Sequence, residues 1–389
     1  MSSPSHPQAA RKAAVRRLVL SDFRSYAALD LEIEGDCIVL TGENGAGKTN
    51  VLEALSMFTP GRGLRRADLA DCARIDGAGN WAASIALDTP DGEVQLGTGI
   101  EAAEGALPAQ RKYRLDRAPV GSARAFGDYA RIVWLTPAMD GLFVGTPGDR
   151  RRFLDRLVLA IDTEHGARVS ALERALRSRN RLLEEAPSET QWLDAVEREL
   201  AELAVAVAAA RHETVSRLAG LIARGRDTAS PFPWADIELA GDIEVLVPLK
   251  PALEIEDHYR RLLRDNRARD AAARRTLIGP QASDLVVRHG PKGIEAARAS
   301  TGEQKALLVG LVLAHGRLVA AMSGLAPLLL LDEVAAHFDA ARRSALFASL
   351  PIAGGQVWMT GADLGAFAAL ADRASLFSVS PGRISPIRF

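Results

Sequence analysis

Three short segments carry residue types that could do chemistry together. Gly42-Glu43-Asn44-Gly45-Ala46-Gly47-Lys48-Thr49, followed by Asn50, fits the phosphate-loop pattern GxxxxGK[ST]. Its glycines let the backbone curl so that successive N–H groups aim at one anion, beside the positive end of the helix that follows. Lys48 adds a point charge suited to the β- and γ-phosphates of a nucleotide, and the Thr49 hydroxyl is a hard oxygen ligand suited to Mg²⁺. The second segment, Leu328 to Leu331 followed by Asp332-Glu333, ends an apolar run in two carboxylates. Alone, such a pair reads as a solvated strand end. Beside a phosphate loop, Asp332 would hold Mg²⁺ and Glu333 would take a proton from an attacking water, because neighbouring negative charge keeps it basic. The third segment, Ser300-Thr301-Gly302-Glu303-Gln304-Lys305, reads as a capping box in which Ser300 caps a helix and Glu303 reaches back. An exposed helix start bearing Ser and Gly also offers N–H and hydroxyl donors to a phosphate, and both readings hold together.

The elements around these segments are those a phosphate site needs. Cys37 to Leu40 is a buried-strand run that stops at the loop, and Asn50 to Phe58 has helical spacing ended by Pro60-Gly61. Arg17 to Ile33 and residues 81 to 120 alternate as antiparallel strands, with a turn signal at Pro90-Asp91-Gly92. From Arg150 to Arg224 glycine and proline nearly vanish while Ala, Leu, Glu and Arg recur at helical spacing, which predicts a helical insertion. A strand-like piece within Pro231 to Pro251 and a basic helical stretch from Glu256 to Arg275 follow. The chain then returns to mixed texture: a strand at Asp284 to Val287, an apolar helix from Gly302 to Met322, and strands at Leu328 to Leu331 and Gln356 to Met359. The expected organisation is a flexible tail over 1–16, an α/β head of 17–148 and 276–389 built on a mixed sheet with helices, and a mainly helical lobe over 149–275.

The 48 basic and 49 acidic residues of the 389 nearly cancel, so any nucleic-acid affinity has to come from local patches. Candidate patches are Arg65-Arg66, Arg150-Arg151-Arg152, Arg177/Arg179/Arg181, and the stretch from Tyr259 to Arg275 that holds Arg260, Arg261 and Arg264. Each suits bidentate contact with a phosphate backbone, or else is a helix face paired with Glu and Asp. Cys37 and Cys72 lie outside CxxC or Cys/His spacing, which fits a reducing cytoplasm and no zinc site. His315, Arg317, Gly324 and Pro327 divide the longest apolar stretch into a helix and a strand, so no membrane span is expected.

The order of these motifs resembles the ABC-type ATPase heads of the SMC and RecF class, and RecF-type chains most closely. The resemblance runs over nearly the whole chain, through Asp22-Phe23-Arg24-Ser25-Tyr26, Gly42 to Asn50 with Leu52-Glu53-Ala54, Gly61-Arg62 with Arg65, Arg150 to Asp155, Gly279-Pro280, Ser300 to Lys305 and Leu331 to Asp339. It implies a homodimer formed on ATP, each nucleotide shared by the phosphate loop of one copy and the Ser300 helix of the other. It also implies that Arg24 lies near the nucleotide and that Asp339 is the D-loop aspartate. Implied partners are ATP with Mg²⁺, duplex DNA and single-strand gap junctions, and the proteins RecO and RecR, with slow hydrolysis and loading of RecA in the cytoplasm. The alternative is the ATPase subunit of an ABC-type membrane transporter. Against it, Thr360 follows Gln356 to Met359 where transporters carry a switch histidine, and the insertion from Asp149 to Arg275 is rich in helix; no Q-loop glutamine stands near Trp134 to Asp140, which leaves the γ-phosphate sensor unassigned. The Gly-Pro-His-Arg segment of related chains is here Gly279-Pro280-Gln281-Ala282.

Overall fold

A computed structural model of the chain describes residues 10–101, 110–227, 230–336, 338–350 and 354–387. It divides into two compact units, the first made of 1–140, 227–233 and 300–389 and the second of 141–226 and 234–299.

The first unit begins with strands β1 (Arg11–Lys12), β2 (Ala14–Phe23), β3 (Tyr26–Glu32) and β4 (Cys37–Thr41), then helix α1 (Lys48–Ser56). Strands β5 (Trp81–Thr89), β6 (Gly92–Ile100), β7 (Arg111–Leu115), β8 (Ala118–Val120) and β9 (Ile132–Leu135) follow. The second unit holds α2 (Pro147–Ile161), α3 (His165–Glu185), α4 (Thr190–Arg224), β10 (Ala235–Ala240), α5 (Ala252–Asp265), α6 (Arg267–Ala273), β11 (Asp284–His289) and β12 (Ile294–Glu295). The chain re-enters the first unit with α7 (Thr301–Ser323), β13 (Leu325–Ala326), β14 (Leu328–Leu331), α8 (Ala340–Ser349), β15 (Val357–Gly361), β16 (Ser375–Ser380) and β17 (Arg383–Pro386).

Two six-stranded sheets build the first unit. One is antiparallel in the order β3-β2-β5-β6-β7-β8, as the alternation over 81 to 120 predicts. The other runs β17-β16-β4-β15-β14-β9 and is parallel apart from its β16/β17 edge. Ile38, Leu40, Leu328, Leu330 and Trp358 of the parallel sheet share one core with Val51, Leu52 and Leu55 of α1 and with Leu18, Leu20 and Ile85 of the antiparallel sheet. Strands buried on both faces explain why β14 reads as four leucines in a row. Full burial of each such side chain contributes roughly 1.5–3 kcal/mol relative to leaving it in water.

Helix α7 has the length and apolarity of a membrane span, yet 67% of its most apolar window is buried inside the protein. It starts on the Ser300/Glu303 capping box and ends at Gly324, whose φ of 68° is the left-handed cap that glycine adopts without strain. At Gly316 a Cβ would come within 3.2 Å of Leu329 Cδ2, so glycine lets α7 sit close to β14.

Two boundaries differ from the sequence reading. The expected tail over 1–16 is structured from Arg11 onward: β1 pairs in parallel with β13, and Ala13, Ala14 and Val15 are buried; residues 1–9 lie outside the described residues. The expected return to the head at 276 falls at 300 instead. Strand β11 pairs with β10 in full antiparallel register, from Ala235 opposite His289 to Ala240 opposite Asp284, and belongs to the second unit. Within that unit α3 and α4 form a helical hairpin, with Leu172, Leu176, Leu200, Ala204 and Ala208 in a core shared with Ile255, Tyr259 and Leu263 of α5.

Candidate nucleotide-binding site

The parallel sheet assembles the site at the carboxyl ends of three neighbouring strands. Strand β4 runs into the phosphate loop, β15 lies beside it with Thr360 opposite Leu40, and β14 lies beyond, Leu331 opposite Met359. Thr49, Thr360 and Asp332 therefore arrive at one end of the sheet, where open α/β folds place their ligands.

The loop has to be glycine where it is glycine. Gly42 has φ 153° and a Cβ there would lie 2.2 Å from the Val379 carbonyl oxygen; Gly47 has φ 110° and a Cβ would meet Ser25 Oγ at 2.7 Å and Tyr26 Oη at 2.9 Å. Glu43, Asn44 and Gly45 are exposed at the tip, while Ala46, Gly47 and Lys48 are buried beneath it. Lys48 Nζ donates to the carbonyls of Gly42 at 2.7 Å and Glu43 at 2.8 Å, which holds a cation over the curl. The first turn of α1 carries no acidic residue, so its N–H end keeps the positive potential that attracts anions.

Asp332 is 7% exposed. Thr49 Oγ1 donates to its Oδ1 at 2.9 Å and Oδ2 at 3.1 Å, and Thr360 Oγ1 donates to Oδ1 at 2.7 Å. The Glu333 N–H in turn donates to Thr360 Oγ1 at 2.9 Å, with Glu333 at φ 50°, a left-handed conformation uncommon for a residue with a side chain. A hydroxyl touching a carboxylate is a hard-oxygen donor set that fits Mg²⁺.

The Asp22 to Tyr26 segment braces the loop from behind. Tyr26 Oη donates to the Gly47 carbonyl at 3.2 Å, Asn50 Nδ2 donates to Ser25 Oγ at 2.9 Å, and burial pushes the Tyr26 phenol above its ordinary range. Arg24, itself at φ 54°, grips the fully buried Glu53 of α1 through Nε and Nη2 at 2.8 and 2.7 Å and the Asp71 carbonyl through Nη1 at 2.6 Å. Arg65 reaches Glu53 at 2.7 Å and Asn50 Oδ1 at 2.8 Å. The chain's own groups thus engage all three nitrogens of the Arg24 guanidinium, which ties the turn before β3 to the helix that carries Lys48 and Thr49.

Ser300 and Glu303 form both halves of the capping box: the Glu303 N–H donates to Ser300 Oγ at 3.4 Å, and the Ser300 N–H to Glu303 Oε2 at 3.1 Å. Gly302, part-buried, is in the first turn of α7. Asp339 caps α8 by accepting from the Arg342 N–H at 2.8 Å. At the end of β9, where no Q-loop glutamine is present, Asp140 accepts from Lys305 Nζ at 3.2 Å.

The basic candidates separate sharply. Arg150 is bidentate on Asp284 at 2.8 and 2.7 Å and also reaches the Gly145 carbonyl at 2.7 Å; Arg151 holds the Ser283 carbonyl at 2.7 Å. Arg179 is fully buried. All three are engaged by groups of the second unit itself. Arg261 and Arg264 are exposed, Arg264 in a loose 3.3 Å pair with Asp194, and Arg260 is half-buried beside Asp257. In the sequence Thr360 marks only the place of an absent histidine, and the anchoring role of Glu53 emerges from the fold. The sequence signals for the brace are the Phe-Arg-Ser-Tyr run, Leu52-Glu53-Ala54 and Arg65.

Fold and site together define a P-loop ATPase head of the ABC type. A model of the AAA domain family matches residues 17–92. The chain is similar to a solved structure of the recombination mediator protein RecF with ATPrS from the RecFOR pathway, at TM-score 0.84 and 18% identity, covering 98% of this chain and 100% of that one. It is also similar to the Smc head domain of Pyrococcus furiosus, at TM-score 0.53 and 15% identity over 96% of each chain. Among curated relatives, the DNA replication and repair protein RecF of Rhizobium etli is 52% identical over 373 residues, 96% of this chain and 99% of the relative. That of Brucella abortus is 52% identical over 377 residues, 97% of each. The chain belongs to the RecF family of DNA replication and repair proteins.

Proposed function

We propose that the protein is an ATP-dependent DNA-binding protein of recombinational repair and replication restart. The observation that carries the reading is the contact of Thr49 Oγ1 with both Asp332 oxygens beside a loop that already holds Lys48 over its curl. Lys48 and the loop N–H groups would neutralise the β- and γ-phosphates, and Thr49 and Asp332 would hold Mg²⁺, which supplies charge neutralisation at the phosphate oxygens. Glu333 would orient and deprotonate the attacking water. Slow turnover fits a site with Thr360 where a histidine would stand. In this reading the exposed Ser300 helix start closes on the nucleotide of a second copy, so that ATP joins a homodimer. Arg260, Arg261 and Arg264 would contact the DNA backbone, RecO and RecR would act with the dimer at single-strand gap junctions, and the cytoplasm would be its site of action.

Sedimentation with ATP and short gapped DNA tests this. Ser300→Arg should keep ATP binding by the monomer and lose dimerisation, whereas Glu333→Gln should accumulate the dimer on DNA and hydrolyse at least about tenfold more slowly. A Ser300→Arg protein that dimerises on ATP as the parent does would overturn the shared site.

A further inference from the structure

We propose that Thr360 is a positioning residue that locks Asp332 and Glu333 into their working arrangement. The inference deepens the ATPase reading above and rests on it. Thr360 is fully buried, and its hydroxyl is used in both directions: the proton goes to Asp332 Oδ1 at 2.7 Å, and the oxygen accepts the Glu333 N–H at 2.9 Å. One side chain on β15 thus ties together two consecutive residues at the end of β14. The first tie saturates Oδ1 with a second hydroxyl and leaves Oδ2 with Thr49, which sets the carboxylate plane toward the phosphate loop. The second tie satisfies a backbone donor that would otherwise be stranded where β14 ends, and it holds Glu333 in the left-handed conformation that re-aims its side chain.

The residue type matters. A buried hydroxyl can donate and accept at once, and the Thr methyl fills the space a valine would fill; valine keeps the shape and loses both bonds, and serine keeps the bonds. The strand register places Thr360 opposite Leu40, one residue before the β4 position that precedes Gly42, so the same side chain stands between the phosphate loop and the acidic strand end. Outer groups that orient metal-binding carboxylates typically matter by 10–100-fold in metal affinity or activity.

Parent, Thr360→Val and Thr360→Ser proteins are compared by three measurements. Without nucleotide, hydrogen exchange at the Glu333 amide should quicken about tenfold or more in Thr360→Val and stay near the parent rate in Thr360→Ser. In the Val variant the Mg²⁺ midpoint for ATP binding should rise and kcat should fall, each by about 10–100-fold, with KM for ATP within about threefold; the Ser variant should recover both. An unchanged Glu333 exchange rate in Thr360→Val, or a Thr360→Ser protein as impaired as Thr360→Val, overturns the proposal. Should Thr360→Val not fold, Thr360→Ala makes the same comparison against Thr360→Ser. A parent that binds no ATP while the Glu333 amide still responds to Thr360→Val would refute the ATPase reading and leave the tie standing.

Discussion

The strand-end site of the first unit and the helical core of the second use charge in opposite ways. At the end of the parallel sheet in the first unit, Lys48 is held by two carbonyls, and Thr49 and Asp332 meet as hydroxyl and carboxylate, contacts a nucleotide and its metal can replace. In the second unit the charges close on each other. Arg179 donates to Glu197 at 3.0 Å, Asp270 at 2.7 Å, Thr276 Oγ1 at 2.8 Å and the Leu263 carbonyl at 2.7 Å. Arg211 is bidentate on Asp155, at 2.8 and 2.9 Å, and also bonds the Pro280 carbonyl and Ser283 Oγ. An arginine whose donors are all matched internally is a strut, and a charge matched only by exchangeable groups is available to a ligand. Counting basic residues cannot separate the two.

The largest effect expected from breaking this contrast is in the second unit. Arg179→Met removes the cation between two buried carboxylates and should destabilise by about 3–5 kcal/mol in urea unfolding, while the fraction that remains folded binds ATP as the parent does. Loss of ATP binding by that folded fraction would show that the struts also shape the site.

Asp155→Asn should come next, at about 2–3 kcal/mol at neutral pH, because it strands part of the Arg211 guanidinium. Burial alone would raise the Asp155 carboxyl, but its hydrogen bonds to His165 and Arg211, together with the Arg211 charge, hold it below the ordinary carboxylate range. A lowered folded value means the contribution is complete above about pH 5, where the unfolded group is ionised, and is lost as pH falls through the folded value. The urea midpoints of parent and variant should therefore converge below about pH 4; parallel curves would remove Asp155 from the acid limb.

The smallest effect sharpens the contrast at the surface. Arg261→Glu and Arg264→Glu should each weaken binding to duplex DNA by about 1 kcal/mol and reduce the salt slope by about one, with unchanged urea midpoints. Arg150→Ala should do the reverse, lowering the midpoint and leaving the salt slope alone. Equal salt slopes for all three variants and the parent would place DNA contact elsewhere.

Much of the site was legible because its parts are local. The curl of Gly42 to Thr49, the Ser300/Glu303 box and the four-leucine strand each depend on residues within a few positions of one another, so their spacing carries the geometry. The boundary at 300 was hidden because β11 alternates like any half-buried strand; only its pairing with β10 assigns it to the second unit. Gln281 stands where related chains carry histidine, and in the fold its amide donates to the Ile278 carbonyl at 2.8 Å, the same oxygen that accepts from Tyr259 Oη at 2.7 Å.

The amino-acid sequence by itself determined that a phosphate loop leads a helix, that an apolar strand ends in Asp332-Glu333, and that a capped helix starts at Ser300, because backbone curvature and capping are written in adjacent residues. Tertiary structure alone decided that Thr360, 28 and 27 residues away in the chain, ties Asp332 and Glu333, that Glu53 anchors Arg24 and Arg65, and that Arg150 and Arg179 face inward. A charged group's role depends on which distant partners the fold brings within hydrogen-bond reach and how much water it leaves there, and neither quantity exists until the strands have paired.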